Sequence, residues 1–208
     1  MSRRRQDGVL IGNQEDKAAL KNPLARRLVR GFDAALLQLL RETQPASIHE
    51  AGCGEGRLAR LIQPLYPVPF RASDFSRNLI EENRRTGPPG VQFVCRSIYD
   101  LAAPVDTADV ILCCEVLEHL EEPDCGIDAL RALRARRYIL SVPDEPLWRV
   151  LNCLRGKYWA SLGNTPGHLN HWSARSFCKF VEAHGFRIEK RLHPFPWTML
   201  CASCDTTG

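Results

Sequence analysis

The 208-residue sequence lacks any apolar run close to the roughly 20 residues that a membrane-spanning helix needs. Its N-terminus, Met-Ser-Arg-Arg-Arg, is basic, but no apolar stretch follows, so a secretory signal peptide is not predicted. Internal repeats and low-complexity segments are also missing. We therefore expect a cytoplasmic protein with no transmembrane segment.

The sequence also lacks a second pair of cysteines with metal-binding spacing. Nine cysteines are present, and only Cys201 and Cys204 form a Cys-x-x-Cys pattern. A four-ligand zinc site normally takes two such pairs. The cysteine count is odd, and several of the cysteines lie in apolar segments that look like strands. We therefore predict reduced thiols that pack as small hydrophobic residues, and no metal site.

Length and composition indicate an ordinary globular protein. The sequence is 44% hydrophobic and 25% charged, and one domain is the default at this length. The net charge is +4, whereas residues 1–30 alone carry +5, so the rest of the chain is nearly neutral. We predict a flexible basic arm over residues 1–22 and a single domain over 23–208. The arm would contact anionic lipid or nucleic acid, or simply remain solvated.

Segments typical of strands and helices alternate along the chain. An amphipathic helix begins at Pro23 and ends before Pro45. Strands are predicted at 47–51, 68–73, 91–95, 108–114 and 137–142, with helices at 56–65, 76–85 and 123–134. A helix at 174–184 precedes two strands at 186–192 and 197–202. This order predicts an α/β fold with a doubly wound, mostly parallel, Rossmann-like sheet of seven strands that ends in an antiparallel hairpin.

A glycine-rich turn, Gly52-Cys-Gly-Glu-Gly56, lies between the first of these strands and the next helix. Glycine adopts positive φ without strain and lets a ligand approach the backbone closely. The carboxyl end of a strand in an open α/β sheet is also the usual place for a ligand. The turn therefore predicts a ligand crevice, although an isolated glycine turn is equally consistent with a tight connection.

Two acidic residues lie near this turn. Glu50 comes two residues before the first glycine, at the mouth of the strand. Asp74 lies twenty residues after Gly54, at the end of the second strand, where an acid can accept both hydroxyls of a ribose. The alternative for Asp74 is a capping role at the helix that begins near Ser76.

A third motif joins the apolar segment Val-Ile-Leu-Cys-Cys (110–114) to an acidic helical turn, Glu-Val-Leu-Glu-His-Leu (115–120). Together with Glu-Ala-Gly-Cys-Gly-Glu-Gly (50–56) and Asp74, it resembles the class I S-adenosylmethionine-dependent methyltransferases. The most similar branch is the small one that includes the ubiquinone-biosynthesis O-methyltransferases. The resemblance covers about residues 23–145, with a looser match beyond, and it specifies the cofactor better than the acceptor.

The resemblance implies that S-adenosylmethionine is the cofactor and that it binds at the carboxyl end of the sheet. Glu50, where most relatives have Asp, would hold the ammonium group, and Asp74 would accept the ribose hydroxyls. The implied cofactor-binding residues are Glu50, Gly52, Cys53, Gly54, Gly56, Asp74, Phe75, Ser97, Ile98, Cys114 and Glu115.

The sequence departs from the family pattern after the third strand. Many relatives place an acid there to hold the adenine amino group, and the matching residue is Ser97, whose hydroxyl forms a weaker bond. Either this change lowers the affinity for the cofactor or Asp100 substitutes for the acid. Phe75 and Ile98 would pack beside the adenine in both cases.

Three histidines are candidates for the acceptor side of the site. His119 is the last but one residue of the third motif. The family often uses this residue to hold a loop, and the alternative is a base or a metal ligand at the mouth of the pocket. His168 and His171 flank Leu169-Asn170. An imidazole titrates near neutral pH and is suited to removing a proton from a hydroxyl. We take His171 and then His119 as candidate catalytic residues, with a structural role as the alternative for each.

An aromatic, loop-rich insert over residues 146–172 follows the fifth strand. Such a segment at the strand ends is typical of a lid. Its tryptophans indicate either an apolar acceptor pocket or a seal against the sheet; the residues concerned are Trp148, Leu151, Trp159 and Trp172. A lipid-like acceptor, reached by peripheral membrane contact with help from the basic arm, is a hypothesis.

The sequence thus predicts a methyltransferase that acts on a small-molecule acceptor, with oxygen as the favoured acceptor atom and nitrogen or carbon as alternatives. Aromatic and basic residues do not interleave, and no base-reading module is recognisable, so nucleic acid is not the favoured acceptor. Three alternatives stay open. The chain could methylate a lipid, a glycan or nucleic acid, use the cofactor or its decarboxylated form for another transfer, or bind the cofactor as a non-catalytic partner protein.

Overall fold

The computed structural model describes residues 5–6, 9–10, 23–145 and 169–204. Most of the predicted lid lies outside the described residues, including Trp148, Leu151, Trp159 and His168. In the predicted basic arm, Arg5–Gln6 and Val9–Leu10 pair as a short antiparallel ribbon. The rest of the arm is also outside the described part.

A seven-stranded sheet forms the centre of the domain. Its strands are β1 (Ile48–Ala51), β2 (Phe70–Asp74), β3 (Val91–Cys95), β4 (Val110–Cys114), β5 (Arg137–Pro143), β6 (Phe186–Leu192) and β7 (Trp197–Cys204). Their order across the sheet is β3-β2-β1-β4-β5-β7-β6. The first five strands are parallel, whereas β7 is antiparallel to both β5 and β6. The predicted fold class is confirmed.

Helices cover both faces of the sheet. They are α1 (Pro23–Thr43), α2 (Arg57–Ile62), α3 (Arg77–Thr86), α4 (Pro123–Ala132) and α5 (Ala174–Ala183). Ser76 and Ser173 accept backbone N–H groups at the starts of α3 and α5 and cap these helices. The predicted acidic helical turn after β4 is a single 3₁₀ turn, Leu117–His119. It is separate from the next helix, α4, which begins at Pro123.

Two hydrophobic cores lie on opposite faces of the sheet. One contains the buried stripe of α1, including Phe32 and Leu36, with residues from α2 and α3. The other contains Ile127 and Leu130 of α4 and Phe177 of α5. Strands buried on both faces are uniformly apolar, as β4 is, because they do not face water on either side.

The strand order reverses direction between β1 and β4. From β1 the chain continues to β2 and β3 on one side, and it returns across to β4 and β5 on the other. Loops that leave the carboxyl ends of β1 and β4 therefore diverge and form a crevice. The glycine turn after β1 lies in this crevice. In the described part of the chain, no helix is long and apolar enough to cross a membrane.

Candidate functional site

The glycine turn adopts a conformation that other residues rarely reach. Gly52, Gly54 and Gly56 have φ values of 78°, 51° and 71°. A Cβ on Gly52 would lie 2.4 Å from Cγ2 of Val116, whereas one on Gly54 would meet nothing within 4 Å. Position 52 therefore requires glycine both for its positive φ and because a side chain would clash with Val116. Gly54 borders open space that a ligand can enter.

Asp74 is held against this turn. Its Oδ2 accepts the N–H of Gly54 at 2.9 Å, and its Oδ1 accepts the N–H of Ser76 at 2.9 Å. Burial raises the pKa of the Asp74 carboxyl, and the two backbone hydrogen bonds oppose that rise. The side chain of Ser76, not that of Asp74, accepts the N–H of Leu79 and caps α3. Because an ionised carboxylate has about four acceptor positions, Asp74 retains acceptor capacity for hydroxyls.

Glu50 lies beneath the turn and is only 3% exposed. Its Oε2 has no hydrogen-bond partner among the described residues. Burial raises the pKa of Glu50 to about 8. The charge of Arg57 and a hydrogen bond from the backbone of Ala59 oppose this rise, whereas the charge of Asp74 adds to it. A buried carboxyl with an unsatisfied oxygen is costly to maintain unless a ligand supplies a donor or a positive charge. Glu50 therefore fits an ammonium group.

An ion pair between Arg57 and Asp33 joins α2 to α1. Nη1 of Arg57 lies 2.7 Å from Oδ1 of Asp33, and the guanidinium lies 5.8 Å from the centre of the Phe32 ring. Sequence reasoning missed all three residues. The position of Arg57 directly after the third glycine could have drawn attention to it, whereas Asp33 and Phe32 carry no local signal.

A hydrogen bond between Trp197 and Glu115 joins β7 to the residue that follows β4. The indole N–H of Trp197, the first residue of β7, donates to Oε2 of Glu115 at 2.7 Å. The ring of Trp197 packs edge-on against Phe32, with centroids 5.3 Å apart. Glu115 has a φ of 62°, and its N–H donates to the carbonyl of Ser141 at 3.0 Å. The predicted Glu115 thus belongs to the rim of the crevice, together with Trp197, which sequence reasoning assigned only to the hairpin.

The residues predicted beside the adenine follow β2 and β3. Phe75 is 36% exposed, and Ile98 is buried. The hydroxyl of Ser97 accepts the N–H of Tyr99 at 3.3 Å and caps the 3₁₀ turn Ile98–Asp100. The Ser97 hydroxyl is therefore engaged by its own turn, and Asp100 stands exposed at the end of that turn.

The two cysteines predicted at the site are buried thiols. Burial raises the pKa of Cys53 well above its usual value and that of Cys114 to about 12. Both groups are therefore neutral near pH 7 and act as packing residues rather than nucleophiles. Within residues 23–145 and 169–204, no group of three or more His, Cys, Asp or Glu side chains is arranged to hold a metal ion.

His119 lies in a turn that residues at the end of the predicted lid, Leu169 and Asn170, hold in place. The carbonyl of Glu118 accepts the N–H groups of Leu169 and Asn170 at 2.8 and 3.0 Å. The amide of Asn170 donates to the carbonyls of Leu117 and Leu120. Nε2 of His119 is 4.0 Å from Oε1 of the buried Glu118. These contacts favour a structural role for this turn.

His171 lies beside a different buried acid. Its Nδ1 is 3.5 Å from Oε2 of Glu145; the histidine side chain is 38% exposed, whereas that of the glutamate is 4% exposed. The N–H of Glu145 donates to the carbonyl of Trp172 at 3.0 Å, which ties the segment to the end of β5. The imidazole is thus half-exposed and within ion-pair distance of a buried carboxylate, and a general base can use such a pairing. Glu145 was not predicted from the sequence.

The structure thus gathers the predicted residues into two groups. Glu50, the glycine turn and Asp74 surround the carboxyl ends of β1 and β2, with Cys114 and Glu115 at the end of β4. His171 lies at the end of β5, next to Glu145. The first group fits an adenosine that carries an amino-acid end, because it offers hydroxyl acceptors, a buried carboxyl group and space at Gly54.

Comparison with known proteins agrees with this geometry. Residues 24–191 match the protein family described as "Methyltransferase domain". No curated protein matches the chain significantly.

Several solved structures share the fold. Magnesium protoporphyrin IX methyltransferase from Synechocystis PCC 6803, with bound SAH, is 20% identical, with 90% of this chain and 89% of that chain covered and a TM-score of 0.66. The methyltransferase domain of bacterial CtHen1 is 20% identical, with 85% and 99% covered and a TM-score of 0.67. The [4+2]-cyclase SpnF is 13% identical, with 93% and 86% covered and a TM-score of 0.65. At these identities the likeness establishes the fold and leaves the acceptor open.

Proposed function

The chain belongs to the methyltransferase-domain family, and we propose that it transfers a methyl group from S-adenosylmethionine to an oxygen of a small-molecule acceptor. One observation carries the proposal. A three-glycine turn, an aspartate bonded to that turn and a buried glutamate with an unsatisfied oxygen meet at the carboxyl ends of β1 and β2. The cofactor supplies an electrophilic methyl group on a sulfonium, so alignment of the acceptor accounts for much of the rate.

The cofactor half of the site is assigned to residues around the glycine turn. Asp74 would accept the ribose hydroxyls while it keeps its bonds to Gly54 and Ser76. Glu50 would ionise and hold the ammonium group, because a nearby positive charge favours the charged form of a buried carboxyl. Gly54 would let the amino-acid end approach the backbone, since a side chain is absent there.

The acceptor half is assigned to His171. In its neutral form, Nε2 of His171 would accept the proton of an acceptor hydroxyl, while Nδ1 faces Glu145. The carboxylate of Glu145 would hold the ring in one orientation and stabilise the imidazolium that forms. We favour an oxygen acceptor because a hydroxyl is a weak nucleophile until its proton is removed, and His171 is the residue that we assign to remove it.

An apolar part in the acceptor is supported by one exposed side chain. Phe195, in the turn between β6 and β7, is 50% exposed and lies two residues before Trp197, whose indole donates to Glu115 at the rim of the crevice. Trp172 gives less support, because it packs on Phe177 and Phe180 with centroids 5.7 and 5.0 Å away. The acceptors that we propose to screen first are lipid-like molecules and partly apolar phenols.

Two experiments test the proposed function. Calorimetry should detect S-adenosylhomocysteine binding to the wild type, and Asp74→Asn should weaken it roughly 10- to 100-fold through lost ribose contacts. Asp128→Asn, an exposed position on α4, is the matched control and should bind normally.

A screen with labelled methyl groups across phenols, lipids, sugars and tRNA should then identify the acceptor. Label transfer to tRNA alone would contradict the small-molecule assignment. Cofactor binding without transfer to any acceptor would favour the non-catalytic partner protein.

A further inference from the structure

A surface cavity lies at the end of the sheet opposite to the crevice. It borders the amino end of β5 and the last residues of β7, whereas the glycine turn follows the carboxyl end of β1. Its volume is about 390 Å³. Small-molecule sites typically have volumes of roughly 300–1,000 Å³, so this cavity suits a ligand at the small end of that range. Its lining includes Arg134, Arg136, Arg137, Arg187, Ser203 and Cys204.

Three of the lining residues form one row across three neighbouring strands. Arg187 of β6 pairs with Ser203 of β7. Tyr138 of β5 pairs with Ala202 of β7, so the residue before Tyr138, Arg137, is level with Ser203. Residues that lie opposite each other in antiparallel strands present their side chains on the same face. The two arginines therefore flank the Ser203 hydroxyl, and Nη2 of Arg187 lies 3.5 Å from that hydroxyl.

A single carboxylate holds the guanidinium groups of both arginines. Oε2 of Glu189 lies 2.7 Å from Nε of Arg137, and Oε1 lies 3.2 Å from Nη2 of Arg187. Glu189 falls at a register shift in β6, between Ile188 and Lys190, and a bulge of this kind redirects a side chain. One negative charge thus bridges two positive charges, and the three groups together remain positively charged.

Both guanidinium groups keep N–H donors for a ligand. Each guanidinium has five N–H donors in a planar fork. In Arg137, Nε faces Glu189 and Nη1 donates to the carbonyl of Arg136 at 2.7 Å. In Arg187, whose side chain is 76% exposed, Nη2 faces Glu189. These contacts orient the two forks and leave further donors on each, and no acidic side chain of the described chain is among the residues that line the cavity.

Arg136 has a structural role instead. Its Nε and Nη2 donate to the carboxylate of Asp109 at 2.7 and 2.9 Å, and Nη2 also donates to the carbonyl of Thr43 at 2.6 Å. The guanidinium of Arg136 therefore joins the end of α1 to the start of β5.

Arg134 brings another guanidinium to the cavity in a strained backbone conformation. It follows the last turn of α4 and has a φ of 52°. Glycine is the usual residue in this conformation at the end of a helix, because a side chain is strained there. The strained position thus adds a charged side chain to the lining that Arg137 and Arg187 share.

We propose that this cavity binds the phosphate group of a small phosphorylated molecule, with Arg137 and Arg187 as the principal donors. A phosphate monoester carries a charge of about −1.5 to −2 at pH 7 and three strong acceptor oxygens. Arginine forks bind such oxygens in pairs, and oriented forks lose little rotational freedom on binding. A volume of about 390 Å³ favours a small ligand over a stretch of polymer. The cavity lies apart from the crevice, so its occupancy does not depend on the proposed function.

Calorimetry in a phosphate-free buffer of low ionic strength tests this site with glycerol 3-phosphate, inorganic phosphate and glycerol. The wild type should bind both phosphate compounds saturably, with one molecule per chain, and should not bind glycerol. Arg187→Gln and Arg137→Gln should each weaken binding of glycerol 3-phosphate roughly 10- to 100-fold, as expected for the loss of a charge-assisted contact. Arg187→Lys should fall between the wild type and Arg187→Gln, because lysine keeps the charge and lacks the fork.

Arg85→Gln is the matched control. Arg85 on α3 is 74% exposed and pairs with Glu82, so the variant loses the same charge at a similarly exposed position away from the cavity. It should bind glycerol 3-phosphate as the wild type does. Urea unfolding of each variant shows that the fold is retained, and Arg187→Gln is the safest in this respect because its side chain is the most exposed of the two.

Three results would overturn the proposal. The first is a wild type that binds neither phosphate compound. The second is an equal loss of affinity in Arg85→Gln and Arg187→Gln, which would make the binding a response to net charge alone. The third is binding of a single-stranded RNA decamer without binding of glycerol 3-phosphate, which would assign these arginines to a polymer backbone.

Discussion

The indole N–H of Trp197 donates to the carboxylate of Glu115 across 2.7 Å, although the two residues are 82 positions apart in the chain. This bond joins the start of β7 to the residue that follows β4. Trp197 also packs against Phe32 of α1, and Phe32 lies under the guanidinium of Arg57. The antiparallel hairpin thus closes the rim of the crevice as well as the edge of the sheet.

Trp197→Phe should separate the hydrogen bond from the packing. Phenylalanine keeps an aromatic ring next to Phe32 but cannot donate to Glu115. We expect a loss of roughly 1–2 kcal/mol in the free energy of unfolding, measured in urea, because a partly buried carboxylate loses a donor. Weaker binding of S-adenosylhomocysteine should accompany it. Phe195→Leu, at a half-exposed position two residues earlier, is the control and should leave both quantities unchanged.

Gly52→Ala and Gly54→Ala should differ in their cost. Both add a side chain at positive φ, but only the methyl group at Gly52 would clash with Val116. We expect roughly 2–4 kcal/mol of destabilisation for Gly52→Ala and about 1 kcal/mol for Gly54→Ala, from urea unfolding. Val116→Ala should recover part of the loss in Gly52→Ala and none of the loss in Gly54→Ala. Equal costs at the two positions would contradict this account of the turn.

Glu50→Gln should change how stability depends on pH. The folded protein holds the pKa of Glu50 at about 8, above the 4.5 of an ordinary glutamate, so the unfolded chain binds fewer protons between these values. Without cofactor, stability should therefore fall as pH rises from 4.5 to 8, by at most about 1.4 kcal/mol per pH unit from this group.

Urea unfolding of both proteins at several pH values measures this difference. The variant should lose less stability than the wild type between pH 5 and pH 8.5, because glutamine does not ionise. Both proteins retain the other groups near this position, Arg57 and Asp74, so those contributions cancel in the comparison. Parallel stability curves would mean that Glu50 is already ionised in the folded protein.

His171→Ala should slow methyl transfer and flatten its dependence on pH. A general base contributes about 10²- to 10⁴-fold to a rate and must be in its basic form to accept the proton. We expect a fall in kcat of at least that lower factor, with loss of the rise in rate on the acid side. KM for the cofactor should change little, since His171 lies at the end of β5, apart from the glycine turn.

His184→Gln is the matched histidine control for this experiment. His184 contacts Asp124 at 3.1 Å and the carbonyl of Phe180 at 2.8 Å, so its loss should lower stability without changing the pH profile of the rate. An unchanged rate and profile in His171→Ala would remove this residue from the mechanism and return attention to His119.

Much of the fold could be predicted because its signals are local. Apolar periodicity predicted α1, and the alternation of apolar segments with Gly and Pro breaks predicted every strand within about two residues. The capping serines Ser76 and Ser173 predicted the starts of α3 and α5, and Pro123 predicted the start of α4. The segment after β4 was predicted less well, because a single 3₁₀ turn and the first turn of a helix share the same residue pattern.

The site residues also separate into those with a local sequence signal and those without one. The glycine turn and Asp74 could be predicted because the spacing of a βαβ unit fixes where the ends of β1 and β2 meet. Arg57, Asp33 and Glu145 could not, since each is an ordinary charged residue until packing places it beside a partner.

The sequence by itself determined that β1 ends in a turn that glycine forms without strain and that an acid lies at the end of the next strand. These features depend on backbone sterics and short spacing, which the order of residues specifies directly. Only the tertiary structure decided which side chains surround that turn. It paired Glu115 with Trp197 and Asp33 with Arg57 and left one oxygen of Glu50 without a partner in the described chain. Such pairings depend on how α1, β4 and β7 pack, and long-range packing is not encoded at any single position.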